Sequence, residues 1–291
     1  YEGLKVVAAD EFDLLMLLKA HADWEVIQKD DCGFCIIRNC PVDIVLESIG
    51  PLQDPLRPYK DCMVDYKGDE VLSPKKMRSL FQSYFQQWID SLPGQGSLPG
   101  GELHCKMKTG GPAITLDVLE GNKKLMSIDF TPSFDIEDDL VIAMPHPDLK
   151  TPNASSTTRL SVELLWMQSN CREERVKMRD IDTDNGCRKK VTKILKTVKQ
   201  NDTQLCSLSS YFFKAILLQM PEGANWGHNA IAERFIDLIK RLEKCLGEKR
   251  LVNFFNPAIN HFAIKDPKTL ENLQGYLNQI IQRNAYVNLL K

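Results

Sequence analysis

Glu11-Phe12-Asp13-Leu14-Leu15-Met16-Leu17-Leu18 decides how this chain is read, and Leu125-Met126-Ser127-Ile128-Asp129-Phe130-Thr131 is its counterpart more than a hundred residues later. Side chains alternate faces along a strand, so Glu11 and Asp13 project together while Phe12 is expected to turn into the core. The second stretch alternates less cleanly but also sets one carboxylate, Asp129, within a β-like run. Three carboxylates brought together raise one another's pKa and pay for desolvation, which makes a poor structural site. A divalent cation removes that problem, because Mg²⁺ takes a few carboxylates plus substrate phosphates. An acidic pair at a strand end is also often a solvated edge, and the residues alone leave both readings open.

The chain has 291 residues, 43% apolar and 26% charged, with a net charge of −2. That is enough to bury a sizeable core in one large domain or two lobes. From this near-neutral balance neither disorder nor strong overall nucleic-acid affinity follows. No apolar run approaches the roughly 18 residues of a membrane span, and no membrane association is expected. Nine cysteines, an odd number, are scattered from Cys32 to Cys245. Such a pattern suits reduced thiols and a cytoplasmic protein better than a disulfide framework. Cys32-Gly33-Phe34-Cys35 has redox or metal spacing, but no second pair follows it and both cysteines are expected to be structural. Asn153-Ala154-Ser155 and Asn201-Asp202-Thr203 match the glycosylation pattern, which arises commonly by chance.

Strand-like runs at Cys35 to Ile37, Ile114 to Leu119 and Leu125 to Phe130 mix with an amphipathic helix from Lys75 to Ser91, ended by Pro93-Gly94. Beyond Arg159 the pattern turns almost wholly helical, at Lys189 to Lys199, Leu208 to Gln219, Ile231 to Leu246 and Leu270 to Asn284. The expected architecture is α+β: a mixed-sheet lobe at 1–165, then a helical lobe at 166–291, with the active site in a cleft between them.

Several segments together resemble the catalytic core of cyclic GMP-AMP synthase and its animal relatives, the synthase-like receptors with a Mab-21-type domain. They are Tyr1 to Lys5, Ala8 to Asp13, Glu70 to Ser73 with Lys76-Met77, Gly111 to Leu116, Ser127 to Asp129, Arg159-Leu160-Ser161, Cys187 to Lys190, Ser209 to Tyr211 with Lys214, and Phe254 to Pro257. Their order and spacing run in register along nearly the whole chain. The resemblance implies a bilobed nucleotidyltransferase joining ATP and GTP into cyclic GMP-AMP, with pyrophosphate released, in innate immune sensing. It implies Glu11, Asp13 and Asp129 as catalytic ligands of Mg²⁺ or Mn²⁺. Thr131, Arg159, Ser161, Lys196, Ser210 and Tyr211 would bind nucleotide, with Tyr211 stacking on a base. The family's phosphate-gripping Gly-Ser lies just before the position of Tyr1, so this sequence is expected to be part of a longer protein. Thr158, Glu163 and His146 depart from the best-known member at positions that bear on base selectivity.

Six basic residues and no acid lie between Cys187 and Lys199, and Lys189, Lys193 and Lys196 recur at helical spacing. Such a run is usually a solvated face. In the family this segment takes part in activator binding, which implies nucleic-acid contacts from Arg188, Lys189, Lys190 and Lys193, with a homodimer forming on the activator. In cyclic GMP-AMP synthase a His followed by three Cys forms a zinc thumb just before this helix. Here Trp166 to Cys187 holds Cys171 and Cys187 but no His. Two ligands cannot complete a four-coordinate structural site, so no zinc is expected. A thumb-less member points to double-stranded RNA over DNA, read by shape, phosphates and 2′-hydroxyls. Two other readings stand beside this one: a catalytically inactive scaffold of the same fold, and a linear oligonucleotide synthase such as the oligoadenylate enzymes.

Overall fold

The computed structural model describes residues 11–27, 29–40, 57–108, 113–146, 162–181 and 186–290. They form two compact units, Ala8–Ser169 and Asn170–Lys291, the first built on a sheet and the second on helices. The fold is α+β, as expected.

Among the described residues the first unit contains ten strands: β1 (Glu11–Leu18), β2 (Trp24–Ile27), β3 (Phe34–Asn39), β4 (Met63–Tyr66), β5 (Asp69–Leu72), β6 (Leu103–Lys108), β7 (Ile114–Glu120), β8 (Lys123–Ile136), β9 (Asp139–Ile142) and β10 (Trp166–Gln168). The main path runs β4-β5-β3-β10-β9-β8-β7-β6, with β1 attached to β8 and β2 to β3. The β1–β8 pairing is parallel, and the other strand pairings among the described residues are antiparallel.

Along β8 the two faces of the sheet do different work. Ile128, Phe130, Phe134 and Ile136 alternate with Ser127, Asp129 and Thr131, as expected for an antiparallel sheet with one face covered. The cover is helix α1 (Pro74–Ser91), which starts where the Ser73 hydroxyl accepts the Lys76 N–H and Pro74 takes the first turn. Phe85 of α1 packs on Phe130 with ring centroids 4.8 Å apart. Phe134, fully buried, is ringed by Trp24, Tyr59 and Trp166 at 5.1, 5.6 and 5.5 Å. Phe12 differs from the expectation. It remains 39% exposed because β1 is an outer strand, paired only with β8 among the described residues.

β10 lies in a stretch read from sequence as the head of the helical part. Only three residues long, it bridges β3 and β9 through antiparallel pairs on both sides. Trp166 fixes it: its side chain is fully buried and the indole Nε1–H donates to the Leu72 carbonyl at 2.8 Å.

The second unit holds α2 (Cys171–Asp180), α3 (Cys187–Asn201), α4 (Ser210–Leu218), α5 (Ile231–Gly247) and α6 (Pro267–Gln282). Their apolar stripes meet in one core that includes Val191, Leu195, Phe213, Leu238, Leu242, Leu273 and Leu277. Among the described residues no helix is long and apolar enough to cross a membrane.

Trp166→Ala is expected to lower the stability of the sheet unit by about 3–5 kcal/mol, the usual range for emptying a buried tryptophan site. Urea unfolding followed by circular dichroism measures the loss.

Candidate active site

Parallel pairing with β8 sets Glu11 opposite Ser127, Asp13 opposite Asp129 and Leu15 opposite Thr131. Partners in a parallel ladder face the same way. The register therefore puts Asp13 and Asp129 on one face of adjacent strands, the face opposite α1, with Glu11 at the register position two residues before Asp13. Thr131 is the next β8 position along that face.

β7 adds a layer that the sequence did not reveal. Thr115 stands opposite Asp129, and Asp117 opposite Ser127. The Thr115 hydroxyl donates to Asp129 Oδ1 at 2.6 Å, fixing the carboxylate on a rigid strand. The Ser127 hydroxyl donates to Asp117 Oδ1 at 2.6 Å, and Lys124 Nζ donates to Ser127 Oγ at 3.2 Å. One strand further out, Lys106 and Lys108 stand opposite Asp117 and Thr115. The face thus grades from carboxylates at β1 and β8 to lysines at β6. The alternation Thr115-Leu116-Asp117-Val118 carried a signal for it, but only the register reveals which β8 residues these side chains meet.

Arg159 and Ser161 lie outside the described residues, as does Thr158. Apart from Thr131 on β8, the other expected nucleotide-binding residues belong to the helical unit. Ser210 and Tyr211 open α4, where the Ser209 hydroxyl accepts the Tyr211 N–H. The Tyr211 hydroxyl donates to Glu174 Oε1, and Lys214 Nζ pairs with Glu174 Oε2 at 2.6 Å. Glu174 is only 4% exposed, so two partners hold a buried carboxylate that would otherwise be costly. Nothing in the charged segment Cys171-Arg172-Glu173-Glu174-Arg175 separates Glu174 from its solvated neighbours on α2, and sequence reasoning missed it. The His261 ring meets Tyr211 edge-on at 5.0 Å.

On α3, Cys187, Val191, Thr192, Leu195 and Val198 are buried. Lys189, Lys193 and Lys196 share the opposite side, as their spacing implied, and Lys190 is exposed. Arg188 is set apart from them. Its guanidinium stacks on Trp226 at 4.7 Å and donates to the Ile181 carbonyl at 2.5 Å, a packing role that ties α3 to its surroundings.

Burial lowers the pKa of His261 to about 4. In the unfolded chain a histidine titrates near 6.5. Unfolding therefore takes up a proton between these values, and stability falls as pH drops from about 6.5 to about 4. His261→Phe should keep the ring contact with Tyr211 and flatten that acid limb. Urea midpoints at pH 7.5 and 5 measure it: the parent loses more stability between the two than the variant does.

Comparison with known proteins agrees with this architecture. The Mab-21 protein nucleotidyltransferase domain matches residues 1–180, and the Mab-21 protein HhH/H2TH-like domain matches residues 187–279. The chain is 24% identical to Cyclic GMP-AMP synthase-like receptor 3 of Stylophora pistillata, over 99% of this chain and 80% of that protein. It is 28% identical to Mitochondrial dynamics protein MID51 of Danio rerio over 95% of this chain, which spans 56% of that protein's length. A shorter match, 31% identical over 40% of this chain and 26% of the relative, is to Mitochondrial dynamics protein MID49 of Xenopus laevis. With the sheet unit and most of the helical unit accounted for, the chain belongs to the Mab-21 nucleotidyltransferase family.

Proposed function

We propose that this protein is a cyclic dinucleotide synthase that makes cyclic GMP-AMP from ATP and GTP when double-stranded RNA binds it. The observation that carries the reading is the pairing of Asp13 with Asp129, two residues on from Glu11. Hard carboxylate oxygens on one sheet face suit Mg²⁺ or Mn²⁺, and the Thr115 bond to Asp129 supplies the orienting contact such ligands need. When bound, the metal supplies charge neutralisation at the triphosphate and a more acidic ribose hydroxyl.

The chain's own residues then divide the work. Glu11 and Asp13 hold the donor side, while Asp129 lies nearest the attacking hydroxyl and receives its proton. Thr131 contacts the acceptor base. Tyr211 stacks on a base, with its hydroxyl anchored by Glu174. Lys196, Ser210, Arg159 and Ser161 hold phosphates and sugars. Residues 1–165 thus supply the chemistry, and 166–291 supply further nucleotide contacts and the activator surface. Lys189, Lys190 and Lys193 contact duplex phosphates, with Arg188 bracing the helix that presents them. A homodimer on the duplex and a cytoplasmic location complete the proposal.

A second reading is favoured by the similarity to the two mitochondrial dynamics proteins. In it the fold is kept as a nucleotide-binding scaffold without turnover. Incubation with ATP, GTP and Mg²⁺, with and without RNA or DNA duplex, followed by mass analysis of products, separates the two. A cyclic dinucleotide appearing with RNA duplex supports the synthase; nucleotide binding without product under every condition supports the scaffold.

Two mutational outcomes are expected. Asp129→Asn, or Asp13→Asn, should abolish product while the metal-free thermal midpoint stays level or rises, because like charges are removed from a shared face. Full activity in either variant would sink the metal assignment. The pair Lys189→Glu and Lys193→Glu should weaken duplex binding for all sequences alike and reduce its salt dependence, which on duplex DNA amounts to a log–log slope of about −0.9 per phosphate contact. Binding titrations at several salt concentrations measure this, and nucleotide binding should hardly change.

A further inference from the structure

We propose that Asp30, Cys32 and His146 form a binding site for a borderline-soft divalent cation of the zinc class, separate from the carboxylates of β1 and β8. One carboxylate oxygen, the thiol sulfur and one imidazole nitrogen from these residues lie within 4.8 Å of one another. Around a four-coordinate zinc, bonds of about 2.0–2.3 Å place ligand atoms about 3.3–3.8 Å apart. The separations here are thus at most about 1–1.5 Å longer than in a loaded site. A thiolate, an imidazole and a carboxylate together match zinc, cobalt or a related transition metal and are poorly suited to Mg²⁺. The fourth position is left for water or an incoming ligand.

The site is built on fixed backbone. Asp30 Oδ1 accepts the N–H groups of Cys32 at 3.0 Å and Phe34 at 2.6 Å, and the Asp30 N–H donates to the Phe34 carbonyl at 2.8 Å. Gly33, at φ 86°, lets the chain double back. Its carbonyl accepts the Gln168 N–H at 2.8 Å, which ties the turn to β10. His146 is 6% exposed, and its ring packs on Phe34 at 4.5 Å. Two of the three ligand residues thus sit in the β2–β3 turn, and the third follows β9. A bound ion would link the two segments across the sheet. Cys35 takes no part: it is fully buried, its thiol donates to the Trp166 carbonyl, and burial pushes its pKa up to about 12. The Cys-x-x-Cys spacing is therefore neither a redox pair nor a two-cysteine metal knuckle. The expectation of no zinc rested on the ligands of the thumb segment, Trp166 to Cys187, and on reading Cys32 and Cys35 as structural; the proposal keeps that reading for Cys35 and departs from it for Cys32.

Metal-stripped protein titrated with Co²⁺ tests the site by absorption spectroscopy. One equivalent should bind with a near-ultraviolet thiolate-to-cobalt charge-transfer band, which Zn²⁺ displaces and excess Mg²⁺ does not. Cys32→Ser should abolish the band, and His146→Gln should weaken binding at least tenfold. Cys206→Ser, which changes an exposed cysteine elsewhere, should leave the band unchanged, and so should Asp129→Asn, which separates this site from the nucleotidyltransferase reading. Metal-free urea midpoints confirm that each variant is folded. Absence of one-equivalent binding in the parent overturns the proposal. So does an undiminished band in both folded Cys32→Ser and folded His146→Gln.

Discussion

The parallel ladder between β1 and β8 is the constraint on which this molecule turns. Because side chains on a strand alternate with a period of two, a one-residue slip would send Asp13 to the helix-covered face and leave Asp129 without its neighbour. The register is held from the β8 side. Phe130 is pinned under α1 by Phe85, and Phe134 sits in a ring of three aromatic side chains. The aromatic core thus aligns the carboxylates, although it touches none of the chemistry. Thr115 then sets the orientation of Asp129 from the other flank.

The helical unit uses a different device. Its core is a conventional set of amphipathic stripes, and beside it a buried carboxylate, Glu174, is held by Tyr211 and Lys214. Removing one partner from such a group leaves a charge stranded in a medium that solvates it poorly. Tyr211 is thereby fixed through its hydroxyl, leaving the orientation of its ring set by an ion pair and by His261. A side chain held at both its hydroxyl and its ring keeps little rotamer freedom of its own.

Much of this was legible in the sequence, and for physical reasons. The helices expected over Lys75 to Ser91 and Leu270 to Asn284 lie close to where their local periodicity put them, while their starts are set by the Ser73 and Asp266 caps and the prolines that follow, which the sequence reading did not use. Strands β3, β7 and β8 showed in their apolar composition and alternation, and the i, i+2 spacing of Glu11 and Asp13 gave their shared face. What escaped notice depends on contacts between distant residues. Trp166–Gln168 becomes a strand only because β3 and β9 lie on either side of it. The Thr115–Asp129 and Asp117–Ser127 bonds depend on the register of a hairpin that shifts between Val118 and Leu119. Phe12 departs from its expected burial because alternation gives the face a residue takes, not what covers that face. Asp30 and His146 are more than a hundred residues apart and carry no common pattern.

The division of labour along β8 has a consequence for how such a protein can change over generations. From Ile128 to Ile136 its even-numbered residues are apolar and hold the fold together, and its odd-numbered ones from Ser127 to Thr131 carry polar groups on the other face. Substitutions on the odd side can accumulate without unfolding the strand, so chemistry can be gained, altered or surrendered while the scaffold persists. A lineage built on this strand is free to explore new occupations with little risk to its architecture. Similarity of one chain to a synthase-like receptor and to proteins of mitochondrial dynamics is the outcome such a strand permits.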